Sequence, residues 1–271
     1  MKYSVLMTVY KKDSEDFFDL ALKSILEQTI LPDEIVIVKD GPVTIELEAV
    51  ITRWQKSSEV HFNIIQLNNN VGLGRALNVG IKECRNELIA RMDSDDYSLP
   101  QRCELQLREF EKDSTLDIIG SSVEEFISEL DNIVGRRIVP TTHDEIYKFA
   151  KKRDPFNHPT VMYRKSFLDK IGGYSDYRKN QDTDLWIRML ESGAKTKNLD
   201  EIVFKFRFDQ NTFEKRKNWF NTKTLIQIRH NAWKRGFNSL GEFLEIAATQ
   251  IAVYLLPQRF QRFLYKRFLR G

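Results

Sequence analysis

Cysteine is scarce in this chain: Cys84 and Cys103 are the only two among 271 residues. Their surroundings show neither metal-ligand spacing nor a disulfide framework, which points to a reducing cytoplasm. Long apolar runs are missing as well. The longest, residues 246–256, is interrupted by Thr249 and Gln250 and falls well short of the ~20 residues needed to span a bilayer. The first residues carry one Lys and then a strand-like segment ending in Thr8, without the apolar stretch of a signal peptide. Internal repeats and low-complexity linkers are absent too. Net charge is small, +3, but it conceals an asymmetry. Residues 205–271 hold 14 Lys and Arg against 4 Asp and Glu, while the rest holds 28 against 35. An acidic body with a basic tail calls for an anionic partner at the tail, membrane or nucleic acid.

What is present is a regular alternation. Residues 3–9, 34–39, 62–67 and 88–92 read as strands, and residues 17–28, 45–54 and 74–83 read as helices between them. Strands alternating with helices of this length imply βαβ units and a mostly parallel, doubly wound α/β sheet. After Asp96 the pattern is mixed. Residues 102–110 read as a helix, and 117–126 with 133–139 as paired strands. A short helix over 166–171 carries a Ser166…Asp169 cap signature and stops at Gly172-Gly173. Residues 182–191 form another helix ending at Gly193, and the chain from about residue 215 reads as wholly helical.

The most informative run is Leu88-Ile-Ala-Arg-Met-Asp93-Ser-Asp95-Asp96. Three carboxylates follow a buried strand at its C-terminal end, where open α/β sheets bind ligands. Crowded carboxylates raise one another's pKa unless a cation joins them. Mg²⁺ or Mn²⁺ suits, since it takes oxygen ligands from one or two carboxylates plus substrate phosphates. Asp40-Gly41 follows the second strand, Asn68-Asn-Asn-Val-Gly-Leu-Gly74 the third, and Gln181-Asp182-Thr-Asp-Leu-Trp186 opens a later helix. Singly each has a bland reading as a turn or a cap. Together they define one rim for a nucleotide. Trp54 and Trp186 read as core, and Lys215-Arg216-Lys217 as a solvated face.

In this order the motifs resemble family 2 glycosyltransferases of the GT-A fold. The resemblance rests on Ser4-Val-Leu-Met-Thr-Val-Tyr10, Asp40-Gly, Asn70-Val-Gly-Leu-Gly-Arg-Ala-Leu-Asn78, Met92-Asp-Ser-Asp-Asp and Asp182-Thr-Asp-Leu-Trp. Asn157-His158-Pro-Thr-Val-Met-Tyr and Phe206-Arg207-Phe…Glu214-Lys-Arg-Lys resemble a subgroup that builds bacterial capsule, amylovoran-type exopolysaccharide and O-antigen. The resemblance covers roughly the first 220 residues. It implies an inverting transfer of a sugar from a nucleotide-diphospho-sugar, a UDP-sugar, with Mn²⁺ or Mg²⁺ bound by Asp93 and Asp95. Thr8, Val9, Tyr10, Asp40, Asn70, Gly72, Arg75, Asn78, Asp93, Ser94 and Arg207 are placed on the donor. Asp40 resembles the acid that holds the base, Asp93 the one nearer the ribose, and Arg207 a pyrophosphate contact. Asp182 matches the catalytic base, with Gln181 where the family usually has Glu. His158 and Gln181 fall on the acceptor side.

The resulting division is a catalytic domain over residues 1–214, with a nucleotide-binding half (1–98) and an acceptor half (99–214). A basic helical extension occupies 215–271. In that extension Arg259, Arg262, Lys266 and Arg270 share a helical face, Arg267 lies at its border, and Leu256, Phe260, Phe263, Leu264 and Phe268 cover the adjoining arc. A basic helix rich in Phe and Leu reads as one lying in a membrane interface. That suits an acceptor saccharide on a polyprenyl diphosphate and a peripheral place on the inner face of the cell membrane. Three other readings compete less well. A sugar-nucleotidyltransferase would want a Gly-rich basic loop after the first strand, and Thr8-Val-Tyr-Lys-Lys-Asp has no glycine. A phosphatase would need its nucleophilic Asp after an early strand. RNA binding by the tail is disfavoured by an apolar arc too wide for an electrostatic groove.

Overall fold

The computed structural model describes residues 1–208 and 218–256. Strands β1 (Tyr3–Val9), β2 (Glu34–Lys39), β3 (His61–Gln66) and β4 (Leu88–Met92) alternate with helices α1 (Glu15–Leu26), α2 (Ile45–Ser57) and α3 (Leu73–Glu83). The four strands are parallel. β1 pairs with β2 on one side and β4 on the other, and β3 lies outside β2. The chain therefore steps outward from β1 to β3 and returns to β4 on the opposite flank. The carboxyl ends of β1 and β4 bound a topological switch point, the crevice where open sheets take ligands.

Local chemistry explains the elements. β4 is buried along its whole length, as expected of a parallel strand covered on both faces. Ser14 and Thr44 cap α1 and α2 by accepting from Phe17 N and Leu47 N. α1 buries Phe18, Ala21, Leu22 and Ile25 against one face of the sheet. α3 buries Ala76, Leu77 and Ile81 against the other. Gly80 permits that second contact, because a Cβ there would collide with Leu6 Cδ1.

Beyond β4 the order is β5 (Tyr97–Ser98), α4 (Arg102–Lys112), β6 (Ile118–Ser121), β7 (Val123–Phe126), β8 (Ile133–Arg137) and α5 (His143–Ala150). A 3-10 turn (His158–Thr160) then leads to β9 (Met162–Arg164), α6 (Lys165–Ile171), α7 (Gln181–Glu191), β10 (Thr196–Leu199) and β11 (Phe204–Arg207). α8 (Trp219–Lys234) and α9 (Leu240–Leu255) complete the described chain. β9 enters the main sheet antiparallel, between β4 and β6, and β10 adds parallel to β6. The main sheet thus runs β10-β6-β9-β4-β1-β2-β3, beside a small sheet β5-β11-β7-β8.

Two sequence expectations need correction. Residues 117–126 are not one strand. They divide around Ser122, so that β6 stays in the main sheet and only β7 pairs with β8. Ser122 Oγ accepts from Val139 N at this corner. Ser166 does not cap α6. The cap position is Arg164, without a side-chain bond, and Ser166 Oγ donates to the Glu87 carboxylate instead. The expected stop is present, with Gly172 in the left-handed region at φ +78°.

The C-terminal helices behave differently from each other. α8 joins the core through Ile228 and Ala232, followed by Phe237, and Arg229 Nη1 donates to the Ala150 carbonyl. α9 has Ile246 as its one buried residue. Leu240, Leu244, Ile251, Val253 and Leu255 on α9 are exposed, as are Trp219 and Phe220. Lys215-Arg216-Lys217 and the tail from Arg259 to Arg270 lie outside the described residues.

Candidate active site

The loop between β3 and α3 is organised by Asp40. Its Oδ1 accepts from Val71 N at 2.7 Å, and its Oδ2 accepts from Gly72 N at 3.0 Å and Asn70 Nδ2 at 2.9 Å. The Asp40 carboxylate thus builds the loop that opens α3. Gly41, at φ +87°, allows the approach, since a Cβ would sit 2.8 Å from Asn70 N. Gly72, at φ +93°, starts the helix. Thr8, Val9 and Tyr10 end β1 next door, where the Val9 carbonyl accepts from Asp40 N. Arg75 and Asn78 bond to the segment that precedes α7. Arg75 forms an exposed ion pair with Asp176. Asn78 bonds both ways with the Tyr174 backbone, Nδ2 to O at 2.7 Å and Oδ1 from N at 2.8 Å.

The acidic cluster lies where β4 ends. Ligand oxygens of Asp93, Asp95 and Asp96 come within 4.8 Å of one another. Asp96 is fully buried, accepts from Arg207 N at 2.8 Å and leaves Oδ2 without a partner. Burial pushes its pKa well up. Crowding costs Asp95 hydration and sets it against the charges of Asp93 and Asp13, raising its pKa to about 7. Asp13, from the loop after β1, is a fourth acid at this rim. Its Oδ2 accepts from Ser94 Oγ at 2.9 Å and Tyr10 N at 3.1 Å. Lost hydration brings its pKa to about 6. The Ser94–Asp13 bond ties the β1 and β4 loops together across the switch point.

Arg207 lies beside the acidic loop. Its Nε donates to the Asp95 carbonyl at 2.8 Å and its Nη1 to the Ser128 carbonyl. Phe17 and Phe126 cover the guanidinium, at 3.8 and 4.5 Å from the ring centres. These carbonyl and ring contacts hold Arg207 against the acidic loop.

Asp182 stands in the first turn of α7, after Asn180 in the left-handed region at φ 56°. Its Oδ1 accepts from the adjacent Thr183 N at 3.0 Å. Lost hydration, then the charge of Asp154, raises its pKa to about 6, against the pull of Arg137. That suits a base working near neutrality. Asp184 anchors the same turn, accepting from Arg188 Nε and Ser175 Oγ. Gln181 is buried with its side chain against Gly74 of α3. His158 does not face an acceptor. It is 8% exposed, shares a 2.7 Å hydrogen bond with Tyr174 Oη and meets Trp186 edge-on. Burial, then the Arg91 charge, drives its pKa well down, so it is a neutral core histidine.

Asp13, Arg91 and Asp154 were not singled out from sequence. Asp13 closes the same loop whose lack of glycine was noted, so its place after the first strand was an available signal. Arg91 stood inside the most informative run as the one charged residue of a buried strand. Asp154 carries no local signal, since only the fold brings it toward Asp182.

The fold is the GT-A glycosyltransferase fold. A mannosyltransferase from Pyrobaculum calidifontis, solved with GDP-Man and Mn²⁺, superposes with a TM-score of 0.67 at 14% identity, covering 96% of this chain and 71% of that one. The S. aureus TarS 1–349 structure in complex with UDP gives 0.66 at 17% identity, covering 99% and 76%. Residues 4–172 match glycosyl transferase family 2, and the chain belongs to that family. It is similar to the Escherichia coli UDP-Gal:alpha-D-GlcNAc-diphosphoundecaprenol beta-1,3-galactosyltransferase, 35% identical over 99% of this chain and 97% of that protein. It also resembles the amylovoran biosynthesis glycosyltransferase AmsE of Erwinia amylovora, 33% identical over 99% and 100%. The chain is a glycosyltransferase.

Proposed function

We propose that this glycosyltransferase moves a hexose or N-acetylhexosamine from a UDP-sugar to a hydroxyl of a saccharide carried on a polyprenyl diphosphate, with inversion, in bacterial surface-polysaccharide synthesis. The observation that carries the reading is the Asp93, Asp95, Asp96 cluster at the switch point, with Asp182 at the head of α7. The names of the E. coli and Erwinia relatives support the acceptor class and the pathway type, and the UDP and Mn²⁺ complexes of the structural neighbours support donor and metal.

The cluster fits a hard divalent cation. Its donors are carboxylate oxygens, and the buried Asp96 Oδ2 has no partner. Asp95 and Asp93 would hold Mn²⁺ or Mg²⁺ with the diphosphate, and Asp96 would back them. When bound, the ion absorbs negative charge developing on the leaving diphosphate. The chain's own residues do the rest. The Thr8–Tyr10 end of β1, Asp40, Asn70, Gly72 and Ser94 form the donor rim. Asp182 takes the proton from the acceptor hydroxyl as it attacks the anomeric carbon opposite the departing UDP.

The same reading places the protein on the inner face of the cell membrane. No helix among the described residues is long and apolar enough to cross one. The support is α9, where Leu244, Ala248, Ile251, Ala252 and Leu255 form one exposed apolar stripe. Trp219 packs on Tyr254 beside it, and the sequence continues into the basic, Phe-rich residues 259–270. Apolar stripes bordered by basic residues lie in membrane interfaces.

The test is transfer from a panel of UDP-sugars to GlcNAc-diphosphoprenol acceptors with Mn²⁺. Product that disappears with EDTA supports the reading. No transfer from any nucleotide-sugar, or full transfer in EDTA, would overturn it.

A further inference from the structure

Arg91 is costly where it stands. It lies in β4 between Ala90 and Met92, in a strand without an exposed residue. Its side chain is 2% exposed, against 27% for Asp93. Arg91 Nη2 donates to Asp93 Oδ1, while Nε and Nη1 are buried and have no hydrogen-bond partner. Hydrophobic replacement of a buried ion pair is often neutral or stabilising, so such a pair is weak evidence of a stabilising role. Its neighbours point to another use. Four carboxylates, Asp13, Asp93, Asp95 and Asp96, crowd the end of β4. Two cations answer them, Arg91 on Asp93 and Arg207 on the Asp95 carbonyl. Arg91 also occupies one of the oxygens that Asp93 could offer a metal.

Resting on the metal reading above, we infer that Arg91 is a positioning residue that restrains the acidic cluster: it holds Asp93 in an internal ion pair, so that a divalent cation binds poorly until a nucleotide diphosphate supplies the missing negative ligands. Mg²⁺ and Mn²⁺ bound through one or two carboxylates and substrate phosphates have this requirement. The buried position matters, because a cation shielded from water acts on the cluster with little screening. An exposed arginine would be largely screened and could swing away.

The experiment is Mn²⁺ titration by calorimetry, with and without UDP. Wild type should bind Mn²⁺ weakly alone and tightly with UDP. Arg91→Met removes the charge and keeps the length. It should tighten Mn²⁺ binding without nucleotide by about tenfold or more, since a charge close to the ion is removed, and so shrink the enhancement by UDP. Arg91→Lys keeps the charge and should stay near wild type. A merely structural arginine would lower thermal stability and leave the metal affinity equal or weaker, and that result in folded Arg91→Met overturns the inference. If Arg91→Met does not fold, the paired variant Arg91→Met/Asp93→Asn is compared with Asp93→Asn alone. The single variant leaves the cation unanswered and should bind Mn²⁺–UDP about tenfold more weakly than the pair. Equal affinities overturn the inference. Absence of Mn²⁺ binding to wild type with UDP overturns the metal reading itself, a distinct result.

Discussion

Asp40 and Asp182, both assigned to the proposed site, are carboxylates in different surroundings. Asp40 accepts three hydrogen bonds from the Asn70–Gly72 loop. Asp182 accepts from Thr183 N, the residue next to it, and faces the charge of Asp154. Burial and like charge disfavour the charged form of a carboxylate and raise its affinity for a proton. The Asp40 loop is therefore held by hydrogen bonds, whereas Asp182 is left with a raised proton affinity.

The comparison breaks most sharply at Asp182. Asp182→Asn keeps the shape and removes the proton acceptor, so transfer should fall by about 10²–10⁴-fold while UDP affinity stays near wild type. A normal rate would show that Asp182 only caps α7. The same substitution should raise stability near neutral pH. The folded pKa of about 6 lies above the unfolded value, so the native state binds more protons between them and loses stability as pH rises through that window. Removing the titration recovers on the order of 1 kcal/mol, readable from urea midpoints at pH 5 and 8.

Next in size is the pH profile. With Asp182 as the base, kcat should fall about tenfold for each pH unit below about 6 and be level above it. A level profile down to pH 4.5 would remove the base assignment.

On the donor side the effect is smaller and of another kind. Gly41→Ala forces a Cβ toward Asn70 N in a left-handed conformation, a strain of about 1–3 kcal/mol. Weaker UDP binding with little change in kcat is expected, measured by calorimetry and saturation kinetics. An unchanged UDP affinity would mean that the Asp40 loop does not seat the nucleotide.

The smallest effect concerns the outer helix. Leu244→Glu/Ile251→Glu places charge on the exposed stripe of α9. It should reduce flotation with anionic liposomes and leave transfer to a soluble acceptor analogue intact. Equal flotation would remove α9 from the membrane reading.

The sequence was most readable where structure is local. Alternating apolar runs located β1 to β4, and the position of Asp93–Asp96 after a buried strand is what put the acids on the rim. What stayed hidden depends on distant contacts. β9 is three residues long and antiparallel, so neither its length nor its period announces that it separates β4 from β6. The two-residue β5 exists because β11 pairs with it. Arg207 reads in sequence as a phosphate contact, and its hold on two carbonyls and its contacts with Phe17 and Phe126 come only from the fold. His158 followed the same course: its loop looks polar in sequence, and the fold buries it against Trp186 and Tyr174.

Asn78 and Gly173 have a bearing on how such enzymes can be re-engineered. Asn78 in α3 clasps the backbone of Tyr174, and a side chain at Gly173, which has φ +66°, would strike its amide oxygen. The segment opened by the Asp40 loop and the segment leading into Asp182 are thus mated parts. A chimera that imports α3 from a relative to change the sugar donor inherits one half of the clasp only. Residues 172–176 should travel with residues 70–83 as a single cassette, and chimeras cut between them are expected to express as misassembled protein.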